Sequence, residues 1–447
     1  MSRADLLASR VPRYTSYPTA PHFHAGVDAA TYESWLRQLP DGTPLSLYIH
    51  IPFCDTLCWF CGCNTKVVNL YSPVASYLEL LRSEIAQIAA IVGKTHLVTH
   101  IHFGGGSPTL LRPDDFETLT RWIRDCFHVA PDAEFAVEID PRGLGDAMID
   151  ALAKAGVNRA SIGVQDIDPV VQRAVNRIQP FDTTRDVIAK LRAAGIGDLN
   201  VDIIYGLPHQ TVEHVEKTVA AMVSLRPNRL AVFGYAHVPH MKKHQALIAT
   251  AALPSVEQRI AQYDHAQSAL IAAGYEAVGL DHFALPDDAM AIAARNDRLK
   301  RNFQGYTTDA APALIGIGAS SIGSLSQGYV QNQTDVPAYR QAILAGQLAT
   351  ARGVELREED RVRRAIIERL MCALHVDLSA VAVAHGYAPE HFACEMSQLK
   401  ELETLGFVQL NGTMISVPAN ERAAVRLVCA LFDEYLDPAA ARHALAV

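Results

Sequence analysis

No apolar run in this chain approaches the roughly 18–20 residues that a membrane-spanning helix requires. The first ten residues, "MSRADLLASR", lack the apolar core of a secretory signal. Basic residues are not in excess: 39 Lys and Arg stand against 48 Asp and Glu, for a formal net charge of −9. Phosphate-binding surfaces are usually basic, so a nucleic-acid role is disfavoured. Eight cysteines in 447 residues make no disulfide scaffold. Together these absences predict a soluble, cytoplasmic protein with no membrane span and no nucleic-acid partner; separately, it is expected to act as a monomer.

What is present is a globular composition, 49% hydrophobic and 19% charged. It is long enough for a sizeable core and one or two accessory domains. Cys126, Cys372, Cys394 and Cys429 are scattered among apolar or helical patterns and read as buried structural thiols. The other four lie within "CDTLCWFCGCN", as Cys54, Cys58, Cys61 and Cys63. In a reducing compartment such density points to a metal or redox site. Structural zinc sites usually pair two ligand pairs a dozen or more residues apart, and no second pair exists here. A thioredoxin-like pair, Cys58 and Cys61, leaves Cys54 and Cys63 unexplained. Three closely spaced thiolates capping a cubane iron–sulfur cluster fit best. Three ligands on four irons leave one iron free for a small molecule.

Six short β-branched runs alternate with amphipathic stretches: residues 45–51, 97–103, 134–139, 159–164, 200–205 and 229–235. Helical patterns lie between them, at Pro73–Val92, Pro113–Phe127, Asp146–Ala155, Thr183–Ala194 and Val212–Leu225, and another follows at Ser255–Ala273. This alternation predicts an α/β fold, a partial (βα)6 barrel with a parallel sheet buried on both faces. Residues 1–44 read as an extended arm, 45–280 as the barrel, and 281–349 as a flanking segment completing the active site. Residues 350–447 read as a mainly helical, winged-helix-like domain with a hairpin at "FVQLNGTMISV", turning at Asn411-Gly412. With no basic stripe, that module is expected to pack or cover rather than bind DNA.

Chemistry-bearing residues collect where each predicted strand ends, as on a barrel's functional rim. The cysteines follow the first strand. Gly104-Gly105-Gly106-Ser107 follows the second, either as a plain tight turn or as a close backbone approach to a ligand. It lacks a G-x-G-x-x-G or G-K-[ST] pattern, so a nucleotide-phosphate loop is disfavoured. Glu138 and Asp140 end the third strand, Gln165 and Asp166 follow the fourth, Asp202 lies in the fifth, and Tyr235-Ala236-His237 follow the sixth.

With C-x3-C-x2-C after the first strand, the chain resembles the radical S-adenosylmethionine (SAM) enzymes. It resembles more specifically the oxygen-independent coproporphyrinogen III oxidases, through "PRYTSYPTA", "FCGCN", "FGGGSPT", "VEIDPR", "DIIYGLP", "RNFQGYTT" and "IGIGASSIG". The resemblance implies a 4Fe-4S cluster on Cys54, Cys58 and Cys61, and two SAM molecules. The first SAM would meet Tyr48, Gly105, Glu138 and Ile322. The second would meet Phe60, Gly106, Ser107, Gln165, Arg177, Asp202 and Ala236. Without the resemblance, Arg177 would read as a surface ion pair. Ser107 stands where the family pattern carries Thr, with the hydroxyl retained.

The implied reaction converts two propionates of coproporphyrinogen III to vinyls, giving protoporphyrinogen IX in anaerobic haem biosynthesis. It needs a low-potential electron donor such as flavodoxin or ferredoxin. Arg13 is the candidate for holding a substrate propionate, against the alternative of an exposed arginine. Tyr14 and Tyr17 flank the tetrapyrrole or pack the arm. Cys63, which does not ligate the cluster in the family, is the candidate for a catalytic role in the substrate half-reaction, against that of a structural thiol. The competing readings are a haem-binding chaperone of the same superfamily and another tetrapyrrole-acting radical SAM enzyme. Cys63 and the "RYTSYPT" arm argue against the first, and the C-terminal match disfavours the second.

Overall fold

Strand β1, Leu45–Ile51, is buried at every position, as a parallel strand covered on both faces must be. The computed structural model describes residues 6–436, so residues 1–5 of the expected arm and 437–447 of the expected C-terminal domain lie outside the described residues. After β1 come β2 (Leu97–Gly105), β3 (His128–Ile139), β4 (Arg159–Gln165), β5 (Asp198–Tyr205) and β6 (Arg229–Gly234). Each pairs in parallel with the one before it. The returns run through helices α1 (Ser72–Val92), α2 (Pro113–Cys126), α3 (Asp146–Ala155), α4 (Phe181–Ala193) and α5 (Val212–Ser224).

The six predicted strands are therefore present, in the predicted order. Helix α3 buries Met148, Ile149, Leu152 and Ala155 and ends on left-handed Gly156, φ 86°. The next helix, α6 (Val256–Ala272), begins at a capping box in which the Ser255 side chain and Gln258 cap each other's backbone.

The sheet extends beyond the six. Strands β7 (Glu276–Val278) and β8 (His282–Ala284) add to the β6 edge in antiparallel fashion. At the other edge β9 (Ala313–Ile317) pairs in parallel with β1. Strands β10 (Ile322–Ser324), β11 (Gly328–Asn332) and β12 (Thr350–Glu355) follow in antiparallel fashion. The spatial order is β12-β11-β10-β9-β1-β2-β3-β4-β5-β6-β8-β7, a twelve-stranded open sheet. Sheet pairing runs to Glu355, so residues 350–355 belong with the sheet rather than with the helices that follow.

Those helices start with α7 (Glu358–Ala373). Three short strands, His375–Asp377, Gln409–Asn411 and Met414–Ser416, combine there with helices Leu378–Ala384 and Ala393–Thr404.

Several local expectations change. Asn411 pairs with Met414, so the hairpin turn is Gly412-Thr413 rather than Asn411-Gly412, with Gly412 at φ 60°. The arm contains a helix, Ala29–Arg37, capped by Asp28 and burying Tyr32, Trp35 and Leu36. A single i, i+3, i+4 triad in a Pro-rich stretch is too short a period to register in sequence. Cys394 is exposed and Cys126 half-buried, so only Cys372 and Cys429 of the scattered four are buried thiols. Tyr14 and Tyr17 are both buried, and they bond to Asp433 Oδ2 (3.1 Å) and the Glu434 N–H (3.1 Å). They pack the arm against the far end of the described chain.

Candidate active site at the barrel mouth

The cysteine loop leaves β1 and is closed at its base by parallel pairing of Phe53–Cys54 with Lys66–Val67. Its carbonyls are satisfied from outside. Asn176 Nδ2 donates to Leu57 O (2.8 Å) and Gln245 Nε2 to Phe60 O (2.9 Å). His244 Nε2 donates to Cys61 O (2.7 Å) and Lys242 Nζ to Cys63 O (2.8 Å). Trp59 N–H donates to Val175 O (2.9 Å), and Phe60 packs on the apolar group containing Val171, Leu207 and Ile248. The backbone is thus pinned without using the thiols.

The four thiols stand in different surroundings. Cys58 is buried, Cys54 and Cys61 are half-buried, and Cys63 is exposed. Arg142 Nη2 lies 3.4 Å and Arg177 Nη1 3.5 Å from Cys58 Sγ. Both guanidiniums also hold Asp140, at 2.6 and 3.2 Å. Burial opposes ionisation of Asp140, but the two arginines outweigh it and keep the carboxyl below its ordinary range. Burial pushes Cys54 up to about 11, while the Cys63 side chain and N–H draw Cys61 down to about 6 and Cys63 moves the opposite way.

The glycine turn is shaped by what surrounds it. A Cβ on Gly104 would lie 2.8 Å from Glu138 Oε1, and one on Gly106 2.4 Å from Phe53 O. Gly105, at φ 116°, has the His50 ring 2.7 Å from where a Cβ would stand. Gly105 N–H donates to Glu138 Oε2 (3.1 Å), and His102 Nε2 donates to Oε1 (3.3 Å). Burial alone would raise Glu138, but His102 and the Gly105 N–H hold it below the usual range. His50 donates from Nε2 to Asn64 O (3.0 Å) and accepts at Nδ1 from Tyr48 OH (3.0 Å). Burial lowers its pKa, consistent with a neutral ring that does both. Ser107 N–H donates to Phe53 O (2.8 Å), and its hydroxyl lies 3.3 Å from that of Thr109.

On the opposite strands, Asp202 accepts from Asn200 Nδ2 (2.8 Å) and Ser161 Oγ (3.2 Å), and burial pushes its pKa up to about 6. Gln165 ends β4 at φ 71°, with its Oε1 buried and without a partner among the described residues. Arg177 donates to Gly163 O (2.6 Å), while its Nε is likewise buried and unpartnered. Ala236 follows β6 half-buried, and Ile322 opens β10 beside Gly316. The interior below is a polar cavity of about 120 Å³ whose lining includes His100, His102, Arg159 and Asn200. Barrels with a packed interior have none.

Arg13 does not stand alone. Its Nη2 donates to Gly234 O (2.7 Å), and Arg259 Nη2 donates to the next carbonyl, Tyr235 O (2.9 Å). Arg301 bonds the carbonyls of Arg13 (3.2 Å) and Tyr14 (3.3 Å), and Arg426 bonds those of Pro12 (2.9 Å) and Val11. Burial, then the charge of Arg13, pushes Arg426 down to about 9. The arm's own Arg13 and three guanidiniums from other segments thus gather where β6 ends.

Sequence reasoning missed Arg142, His50, His102, Arg259, Arg301 and Arg426. It also missed Glu84. That carboxylate accepts from Gly318 N–H (2.7 Å), Asn332 Nδ2 (2.6 Å) and Tyr339 OH (2.6 Å). Tyr77 OH donates to His50 O (2.9 Å) and accepts from Ala319 N–H (2.8 Å). This network fixes the turn that leads into Ile322. The motifs "DPR" and "RNFQG" carried Arg142 and Arg301, but without a partner in sequence to mark their roles.

Among the described residues, no three His, Cys, Asp or Glu side chains are grouped as one metal ion would need. Three thiols on one loop, with Cys58 and Cys61 at the two ends of a single turn (Cys61 N–H to Cys58 O, 3.1 Å), instead suit a cluster, whose irons take one thiolate each. The glycine cradle, unpartnered Gln165 Oε1 and Arg177 Nε, and the carboxylates of Glu138 and Asp202 suit a polar ligand beside it.

The radical SAM superfamily profile matches residues 48–222. An oxygen-independent coproporphyrinogen III oxidase of Bradyrhizobium diazoefficiens is 51% identical over the whole of both chains. That of Paracoccus denitrificans is 39% identical over 100% of this chain and 99% of its own. This chain belongs to the oxygen-independent coproporphyrinogen III oxidases. The coproporphyrinogen III oxidase of Escherichia coli, a radical SAM enzyme, superposes with a TM-score of 0.91 at 38% identity, covering 95% of this chain and 98% of that one. As a radical SAM oxidoreductase of this family, the chain uses a 4Fe-4S cluster and SAM.

Proposed function

We propose that the chain oxidatively decarboxylates two propionates of coproporphyrinogen III to vinyl groups, giving protoporphyrinogen IX in anaerobic haem biosynthesis. The observation that carries this reading is the meeting, at one barrel mouth, of a three-thiol loop with a group of arginines suited to a multiply carboxylated substrate. Cys54, Cys58 and Cys61 hold the cluster. The chemistry it supplies with SAM, when bound, is one-electron cleavage to methionine and a hydrogen-abstracting 5′-deoxyadenosyl radical. Glu138, the Gly105 backbone, Tyr48 and Ile322 receive one SAM. Phe60, Gly106, Ser107, Gln165, Arg177, Asp202 and Ala236 receive a second.

Arg13 binds a substrate propionate, with Arg259, Arg301 and Arg426 adding to the local positive charge. A guanidinium pairs well with a carboxylate in this way. Cys63 takes part in the substrate half-reaction; its exposure and its distinct surroundings support a role apart from the three ligands. The described parts of the arm (1–44) and C-terminal module (350–447), with the flanking segment (281–349), cover the mouth of the barrel (45–280) and exclude water. The working enzyme is a cytoplasmic monomer supplied by a low-potential flavodoxin or ferredoxin.

The test is anaerobic reconstitution with iron and sulfide, followed by SAM, reductant and coproporphyrinogen III. Protoporphyrinogen together with 5′-deoxyadenosine is the expected result. Haem binding without turnover would replace this reading with that of a haem chaperone.

A further inference from the structure

Lys242, His244 and Gln245 each donate to a carbonyl of the cysteine loop, those of Cys63, Cys61 and Phe60. The segment 238–247 therefore lies directly against the loop. Of its other side chains, His240, Met241, Lys243, Ala246 and Leu247 face out. Met241 is 62% exposed and Leu247 59% exposed, and Lys243 and His240 are exposed beside them. Both apolar side chains are among the most exposed large hydrophobics of the described residues.

The charge of this segment is unlike that of the chain. Net charge is −9 overall, yet residues 217–256 contain no Asp or Glu, and within that span lie Lys242, Lys243, His237, His240 and His244. The neighbouring exposed cation, Lys66, pairs with Asp335 at 4.0 Å. Asp55, the loop's own carboxylate, is exposed, with Oδ2 3.9 Å from where a Cβ on Gly143 would stand. The result is a short segment that exposes two large apolar side chains among cations, one layer of side chains from the thiols.

We propose that Met241, Lys243 and Leu247 form the docking surface for an acidic flavoprotein that delivers one electron to the cluster. This rests on the radical SAM reading above. The occupant follows from complementarity: a flavin's dimethylbenzene edge is apolar, and a rim of carboxylates around it would meet Lys243 and its neighbours. In the transfer the anionic flavin hydroquinone loses one electron to become the neutral semiquinone, the cluster gains that electron, and no proton moves. The acid-free segment speeds encounter and fixes orientation, and the apolar pair excludes water from the contact.

The experiment uses the reconstituted, cluster-loaded enzyme and its Met241→Asp/Lys243→Glu double variant. Calorimetry with FMN-loaded flavodoxin should give a dissociation constant about tenfold or more weaker for the variant, since reversing a rim charge removes steering and adds repulsion. Wild-type binding should weaken steeply with added salt. Product formation driven by reduced flavodoxin should fall with it, while formation driven by dithionite stays within about twofold, since neither residue touches the SAM or substrate site.

Lys243→Ala, which adds no charge, should shift binding the same way but less. Equal flavodoxin affinity in wild type and both variants would overturn the proposal. So would tight, variant-sensitive binding of ferredoxin with none of flavodoxin. Dithionite-driven turnover failing in the wild type would instead strike the functional reading, and the calorimetric arm would still report on docking.

Discussion

Arg177 Nη1 lies 3.5 Å from Cys58 Sγ while the same guanidinium holds Asp140 at 3.2 Å. Asp140 holds that cation against the loop together with Arg142, so one carboxylate anchors two guanidiniums beside a single thiol. Replacing Asp140 with Asn leaves two arginines facing each other without their counter-charge. The expected cost is on the order of 2 kcal/mol, discounted because Asp140 is partly solvent-exposed. Urea melts of the cluster-free protein measure it, and a midpoint equal to wild type would show that the trio does not hold the loop.

Cys54→Ala, Cys58→Ala and Cys61→Ala should each abolish iron loading and all SAM cleavage. Cys63→Ser should retain the iron and the broad visible absorption of the cluster yet lose vinyl product. Iron and sulfide analysis beside product chromatography separates the two classes. Full product formation by Cys63→Ser would end the catalytic assignment.

Gly105→Ala sets a Cβ into the His50 ring at a positive φ that Ala resists. The strain should be about 1–3 kcal/mol and should displace the N–H that Glu138 accepts. SAM affinity, read by equilibrium dialysis, should fall about tenfold or more with iron content unchanged. Unaltered affinity would mean that this turn does not contact the ligand.

Burial raises the Glu84 carboxyl to about 7, well above its unfolded value. Its contribution to stability is therefore fully present below about pH 4.5 and is lost as the pH rises through 7. Glu84→Gln carries no such titration. The stability difference between wild type and this variant should move against wild type by on the order of 1–3 kcal/mol between about pH 5 and pH 8. Thermal melts across that range test the sign, and a constant difference would show that Glu84 is ionised throughout.

Arg13→Ala should raise the apparent KM for coproporphyrinogen III by about ten- to a hundredfold, the scale of one charge-assisted hydrogen bond. Substrate-free SAM cleavage should change little. Unchanged KM and turnover would assign Arg13 to holding the arm against Gly234 rather than to substrate.

Much of the fold was legible because its signals are local. Alternating β-branched and amphipathic runs mark strands and helices whose periods differ, and six of them in succession impose parallel pairing. The cysteine spacing is likewise local, since Cys54, Cys58, Cys61 and Cys63 all lie on one loop. The helix Ala29–Arg37 was missed because one short apolar triad carries too little period, and the hairpin turn shifted because strand register is set by cross-strand packing as well as by turn residues.

The sequence by itself determined the βα rhythm, the three-thiol loop and the ring of polar residues at the strand ends. The tertiary structure alone decided which distant residues meet there. Arg13, Arg259, Arg301 and Arg426 are hundreds of positions apart at the extremes, and Glu84 reaches Gly318, Asn332 and Tyr339 across the fold. A lone arginine or a lone glutamate has no periodicity to betray its role. Its chemistry depends on the partner that folding brings within hydrogen-bond reach and on the water that folding removes.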